Sequence, residues 1–403
     1  GTLMHSHIMK PKISIRSWND LMNKIRIQTH FWSIVLFLPM IFITLNCSNH
    51  TKRISNFDSR KDQIRKKYIN DGSLAVFSAN IDKINNKWII QGETTDPTVY
   101  QSILRLKDSL FKNNNVKNNF VLLPDPALND KVFGIVNVSV TPMREEPRHS
   151  SQMVDQAIMG NVVRLLKNDN GWYLVQTHYD YVGWINKSGL FVTNESGKNN
   201  WQEKADKSFT GLQNLIRSEP DNNSLPVSDI VLNNIVISET YDNDWSLIHL
   251  PDGRKGYLKS KSLRYFNTKN QNNIHPGDII SDAKRMMGTP YLWGGNSTKG
   301  NDCSGFTQTV FKANNIQIPR DARQQALIGT PILPSQDWSN ILPGDLLFFG
   351  RENRVTHVGI SLGQKDFIHQ GGKVGINSLD KASPEFNKGR LESFLFIRRI
   401  LYQ

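Results

Sequence analysis

The stretch DCSGFTQTVF, residues 302–311, places Cys303, one of two cysteines in the chain, between an aspartate and a serine at the head of an apolar helix-like run. A thiol in the first turn of a helix faces unpaired backbone N–H groups and the positive end of the helix dipole, which favour thiolate over thiol. A structural cysteine more often stands mid-helix on the apolar face. Here the apolar stripe of Phe306, Val310 and Phe311 begins after Cys303, so its side chain is expected to leave the core. A thiolate nucleophile needs an imidazole partner. Two of the ten histidines stand in the strand-rich tail, His357 opening HVGISLG and His369 within DFIHQGG. Their spacing suits neighbouring strands of a hairpin with both rings on one face, one ring to pair with the thiol and the other to orient it. Two rivals stand beside this reading: a small core cysteine, and a Cys/His zinc site, for which the close ligand pairs usual in such sites are missing. Ser304 has no Gly-x-Ser-x-Gly elbow around it and is expected to start the helix or touch substrate.

Such a set must be held by rigid elements. Residues 274–403 read as two helices followed by strands. DIISDAKRMMG ends at a glycine, PYLWGGNSTKGND is a Gly-rich loop over which a substrate can come close, and CSGFTQTVFKANN is the second helix. DLLFFG, HVGISLG, DFIHQGG and FLFIRRIL then read as strands. The expected domain is α+β with an antiparallel sheet.

Upstream, Gly160, Trp172, Gly183 and Leu190 recur as Asn233, Trp245, Gly256 and Leu263 at steps of 12, 11 and 7, an offset of 73 residues with no insertion. That regularity marks a duplication. The NDNG and PDGR turns, with alternation in WYLVQ and WSLIH, predict two small SH3-like β-barrels, at 129–195 and 224–268, with both tryptophans in barrel cores. The second barrel reads as shorter at its front, and residues 196–223 as a polar connector with a short helix. A small α/β unit is expected at 74–128 and a structureless tether at 48–73.

At 403 residues the chain exceeds one core, and 38% apolar with 21% charged residues excludes both pervasive disorder and a multi-spanning membrane protein. A net charge of +13 suits an anionic partner such as cell wall, lipid headgroups or nucleic acid. No nucleic-acid-binding motif is present and the basic residues are scattered, so nucleic acid is not expected as a partner. Lys10, Lys12, Arg16, Lys24 and Arg26 precede the apolar run FWSIVLFLPMIFITL, which has signal-peptide rather than membrane-span length. Residues 1–47 are therefore expected to be an export leader, with Cys47 as the lipid-bearing residue. Leu45 and Asn46 depart from the usual residues before such a cysteine, and the first residue is not Met, which leaves the start open. With Cys47 in the leader, Cys303 has no disulfide partner.

YLWGGNSTKGNDCSGF, LPGDLLFFG, HVGISLG and FIHQGGKVGINSL together resemble the NlpC-type cysteine peptidase family over essentially the whole of residues 274–403. The resemblance implies a papain-like core with Cys303 as nucleophile, His357 as base and His369 as its orienting partner, and no metal or cofactor. Gln370 departs from the small residue that often follows the third member and bears on pocket shape. With two SH3-like domains ahead, the chain resembles the branch acting as γ-D-glutamyl-L-diamino acid endopeptidases on murein stem peptides with a free N-terminal L-Ala, where the first barrel walls off that end of the cleft. This implies Asp302, aided by Glu146, for the ammonium; Arg320 for substrate carboxylates; Tyr291, Trp293 and Tyr181 as cleft walls; and an exported, membrane-anchored lipoprotein facing the periplasm or cell envelope. The plainer roles are a helix cap for Asp302, a structural ion pair for Arg320, and ordinary surface or barrel positions for Glu146 and Tyr181. A D,L-endopeptidase or amidase of intact wall, or an inert wall-binding protein, remains as the alternative function.

Overall fold

The computed structural model describes residues 38–112, 115–266 and 274–401, and side chains from residue 51 onward. Helix α1 (Leu38–Tyr68) runs through the segment expected to be a structureless tether. The correction has a simple cause: Ser48 to Asn70 contains no Gly or Pro and is rich in Lys and Arg, which tolerate a helix well. Of the expected leader, residues 1–37 lie outside the described residues, and so does the Cys47 side chain. Among the described residues no helix is long and apolar enough to cross a membrane. Residues 60–403 make one compact unit and residues 1–59 another.

The small α/β unit consists of β1 (Phe77–Ile84), β2 (Lys87–Thr94), α2 (Pro97–Leu110) and β3 (Val116–Leu122). β1 and β2 form a hairpin, and α2 carries the chain over to β3, which pairs parallel with β2. Asp96 caps α2 by accepting from the N–H groups of Thr98 and Val99, and Val99, Ile103 and Leu106 bury its apolar face.

Two seven-stranded sheets follow. The first holds β4 (Phe133–Val136), β5 (Val140–Arg144), β6 (Met153–Ile158), β7 (Val162–Asp169), β8 (Trp172–Gln176), β9 (Val182–Asn186) and β10 (Leu190–Thr193), in the order β10-β4-β7-β8-β9-β5-β6. After α3 (Glu195–Lys204), the second holds β11 (Lys207–Phe209), β12 (Gln213–Arg217), β13 (Pro226–Val231), β14 (Ile235–Thr240), β15 (Trp245–His249), β16 (Lys255–Lys259) and β17 (Leu263–Tyr265). Its strand order is the same once the offset of 73 is applied. The second barrel therefore starts at residue 207, not 224, and the expected connector contains two of its strands. The front hairpin is the same in both copies: Arg144 and Arg217 each donate from Nη1 to a carbonyl, of Ser151 and Ser224, both at 2.8 Å, and those serines accept from the N–H of Glu146 and Glu219. Trp172 and Trp245 are both buried. Gly160 and Asn233, at equivalent positions, both adopt positive φ, 83° and 71°. A Cβ at Gly160 would lie 2.1 Å from the Ile235 carbonyl oxygen, so the first copy needs glycine there because the second barrel packs against it.

The last domain contains α4 (Pro276–Arg285), two short strands β18 (Asn296–Ser297) and β19 (Gly300–Asn301), α5 (Cys303–Ala313), α6 (Ala322–Gln325), β20 (Thr330–Ile332), β21 (Leu346–Arg351), β22 (Arg354–Gly363), β23 (Asp366–Gln370), β24 (Val374–Ser378), α7 (Lys388–Ser393) and β25 (Phe394–Arg399). Its antiparallel sheet has the order β20-β25-β21-β22-β23-β24. Alternation along β21 sends Leu346 and Phe348 into the core under α4 and α5, and Leu347 and Phe349 into a second cluster with Ile341, Phe367 and Ile397. The sheet is covered on both faces. Backbone and side-chain bonds tie this domain to both barrels: Asn296 and Ser297 donate to Gln156, Thr298 to the Leu212 carbonyl, and Asn233 to the Thr309 carbonyl.

Candidate active site

Cys303 is the first residue of α5, and Asp302 caps that helix by accepting from the Gly305 N–H at 2.7 Å and the Gly294 N–H at 3.1 Å. A Cβ at Gly305 would lie 2.0 Å from the Gly295 carbonyl oxygen, so the Gly-rich loop lies directly over the helix start. Gly294 has φ +71° and faces the Met153 carbonyl, which seats the same loop on β6 of the first barrel.

The thiol does not leave the core as expected. Cys303 is a free cysteine, only 9% exposed, at the edge of the core cluster under the sheet. Burial, with the charge of Asp302 behind it, pushes the thiol up to about 11, against backbone N–H groups of Val358 and Ser304 and the charge of Arg320. The dipole end of the helix is thus outweighed, and the resting group is the thiol.

His357 on β22 and His369 on β23 share a sheet face. His357 Nε2 lies 2.7 Å from His369 Nδ1, and His369 Nε2 lies 2.8 Å from Asn377 Oδ1 on β24. Asn377 is itself held: its Oδ1 accepts from Asn387 Nδ2 at 3.0 Å and its Nδ2 donates to the Glu385 carbonyl at 3.4 Å. An oxygen there requires His369 to carry its proton on Nε2, which leaves Nδ1 as an acceptor, so His357 donates from Nε2 and keeps a lone pair on Nδ1. Burial, together with the charges of Arg390 and His369, holds His357 well below 6.5, and burial lowers His369 to about 4 against the Asn377 bond. Both rings are neutral at neutral pH. A neutral thiol served by a neutral imidazole with a free lone pair would make a general-base pair.

Among the described residues no group of three or more His, Cys, Asp and Glu side chains is arranged to hold a metal.

Arg320 corrects the sequence expectation. It is 1% exposed, and its guanidinium donates from Nε to Asp155 at 2.6 Å, from Nη1 to Asp302 and Ser304 at 3.0 Å each, and from Nη2 to Asp302 at 2.6 Å and the Gly295 carbonyl at 3.3 Å. No donor is left for a substrate carboxylate, so Arg320 clamps the Asp302 cap to the barrel. Ser304 is buried in the same network. Asp155 completes it, also accepting from Tyr179 at 2.5 Å and Asn296 at 3.1 Å. Burial raises the Asp155 carboxyl against the charge of Arg320, while Asp302 keeps 13% of its side chain exposed.

The other expected residues divide. Tyr291 and Trp293 are 41% and 61% exposed on the Gly-rich loop, and burial with the nearby Cys303 and Asp302 charges raises the Tyr291 hydroxyl to about 12. Tyr181 is buried and donates to Asp321 at 3.2 Å, joining barrel and catalytic domain. Glu146 is exposed and pairs with Arg148 at 2.7 Å, a surface pair; its contacts do not join it to Asp302. Gln370 is buried and donates to the Thr289 carbonyl and Asn301, so it pins the loop base. Sequence reasoning missed Asn377, Asp155 and Arg390. Asn377, eight residues past His369, is the one that strand alternation could have pointed to.

Residues 288–387 match the NlpC/P60 family, and residues 143–190 match the bacterial dipeptidyl-peptidase Sh3 domain. The chain is 29% identical to a protein named dipeptidyl-peptidase 6 from Lysinibacillus sphaericus over 264 residues, 63% of this chain and 94% of that one. It is 27% identical to a protein named gamma-D-glutamyl-L-lysine dipeptidyl-peptidase from Bacillus cereus over 240 residues, 55% of this chain and 68% of that one. A crystal structure of an NlpC/P60 family protein from Bacillus cereus ATCC 10987 covers 66% of this chain and 99% of its own with a TM-score of 0.56 at 22% identity, a likeness of fold.

Proposed function

We propose, for a chain that carries an NlpC/P60 domain behind a bacterial dipeptidyl-peptidase SH3 domain, that it is a cysteine endopeptidase hydrolysing the γ-D-glutamyl-diamino acid bond of murein stem peptides. The observation that carries this reading is the ordered line His357–His369–Asn377 behind a thiol at the head of α5. In the proposed reaction the Cys303 proton passes to His357 Nδ1 as sulfur bonds to the γ-carbonyl carbon. Backbone N–H groups near the helix start face the oxygen that gains charge. The C–N bond then breaks as His357 returns the proton to the leaving amine, and a water deprotonated by His357 releases the acyl group. His369 and Asn377 orient the base.

A free N-terminal L-Ala is the preferred substrate end in this reading. The partly exposed Asp302 carboxylate suits an ammonium, and the first barrel, tied down through Asp155 and Tyr181, closes that side of the loop. Action in the cell envelope follows from a wall-derived substrate; lipid attachment at Cys47 rests on the sequence of residues 31–47 alone.

The test is hydrolysis of L-Ala-γ-D-Glu-meso-diaminopimelate, read by mass spectrometry, beside Cys303→Ala protein and an N-acetylated copy of the peptide. Release of L-Ala-D-Glu that the variant and the acetyl group both abolish is expected. Equal cutting of the acetylated peptide would replace the free-amine reading by a hydrolase of intact wall.

A further inference from the structure

The hairpin of β21 and β22 turns through Glu352 and Asn353, both at positive φ, which sets Arg351 directly opposite Arg354 in the ladder. Like charges facing across a ladder repel. Neither arginine has a carboxylate partner among the described ion pairs, and both line a groove of about 960 Å³ whose far wall is α7 with Arg390. Glu352 is the one acid in its lining. Arg390 is half-buried, has no carboxylate partner either, and places its guanidinium carbon 5.6 Å from the Phe349 ring centroid. That ring lies 5.7 Å from the His357 ring, so one aromatic side chain separates the cationic groove from the imidazole, and the Arg390 charge acts on Cys303, His357 and His369 alike.

Three guanidinium groups sharing one carboxylate in their groove, one of the three half-buried, are an unfavourable arrangement that a further anion would complete. The Asp302 side of the nucleophile has the opposite sign. Cys303 thus feels a carboxylate charge from the Asp302 side and a guanidinium charge from the Arg390 side, an order of charge that matches a peptide with an ammonium at its start and carboxylates toward its end.

We propose that the groove between the β21–β22 hairpin and α7 is a carboxylate-binding subsite, in which Arg390, with Arg351 and Arg354 farther out, receives the carboxylates of the diamino-acid half of the substrate. The inference rests on the peptidase reading for the identity of the ligand. It replaces Arg320, whose donors are all used internally, with a set whose donors are open.

Binding and hydrolysis are measured separately so that the two readings can fail independently. The probes are L-Ala-γ-D-Glu-meso-diaminopimelate and the same peptide with both diaminopimelate carboxylates as amides. Calorimetry on Cys303→Ala protein is expected to show the acid binding about tenfold tighter than the amide, and the added change Arg390→Gln or Arg354→Gln to erase that preference. Arg354 is exposed on the turn, so its variant tests the groove with little demand on folding. Equal binding of acid and amide, no measurable binding of the acid, or a preference untouched in both variants would overturn the subsite, whether or not the wild type cuts the peptides. Carboxylate-selective binding that both variants lose, with no hydrolysis by the wild type, would uphold the subsite and sink the peptidase reading.

Discussion

His357 Nε2 and His369 Nδ1 stand 2.7 Å apart with their rings at 89°. This perpendicular contact passes orientation from Asn377 through two rings to the nitrogen that must accept the thiol proton. Replacing Asn377 by Ala is expected to lower kcat about tenfold with little change in KM, the loss of one buried hydrogen bond that fixes a tautomer. An unchanged kcat would show that the base is oriented without it.

The same ring limits its neighbours. A Cβ at residue 371 would lie 2.7 Å from His369 Cε1. Gly371→Ala should therefore lower kcat by about tenfold while leaving the unfolding midpoint within a few degrees of wild type, because the clash is relieved by rotating the ring out of line and not by unpacking the core. Full activity in this variant would mean that the ring has slack.

Arg320→Ala leaves Asp155 and Asp302 facing each other without their cation. A destabilisation of about 3–5 kcal/mol is expected in denaturant unfolding. Adding Asp155→Asn should recover part of it. Loss of activity with wild-type stability would contradict the clamp described above and return Arg320 to the substrate.

His369 sets a pH dependence of stability. Its folded value of about 4 lies below the ordinary 6.5, so between those values the unfolded chain binds the proton and the folded chain does not. Stability falls as pH drops from about 6.5 to about 4, by roughly 3 kcal/mol from this group, and levels below. The depressed His357 likewise places the acid limb of kcat/KM below 6.5. His369→Gln should flatten the stability slope in that window; an unaltered slope would assign it elsewhere.

Cys303, His357 and His369 stood out in the sequence because a helix start and two short strands isolate them. What position could not convey was the balance of charge around them. Helix geometry alone argued for a lowered thiol, yet burial and Asp302 move it upward. Arg320 looked available because IPRDA gives no hint of Asp155, which lies 165 residues earlier on another domain. The front of the second barrel was missed for a different reason. The repeat was anchored on tryptophans and glycines, while the shared feature of the front hairpins is an arginine reaching back to a carbonyl, a bond that leaves little trace in hydrophobic pattern.

At the places where the first barrel meets the catalytic domain, the two copies have parted. Asp155 and Tyr181 of the first correspond to Ser228 and Arg254 of the second, and Arg254 reaches back to the Asn137 carbonyl of its twin at 2.6 Å. One copy faces the reaction and the other braces it. A change at 155 or 181 thus alters the joint to the catalytic domain, while the Arg254 bond between the two barrels is left in place.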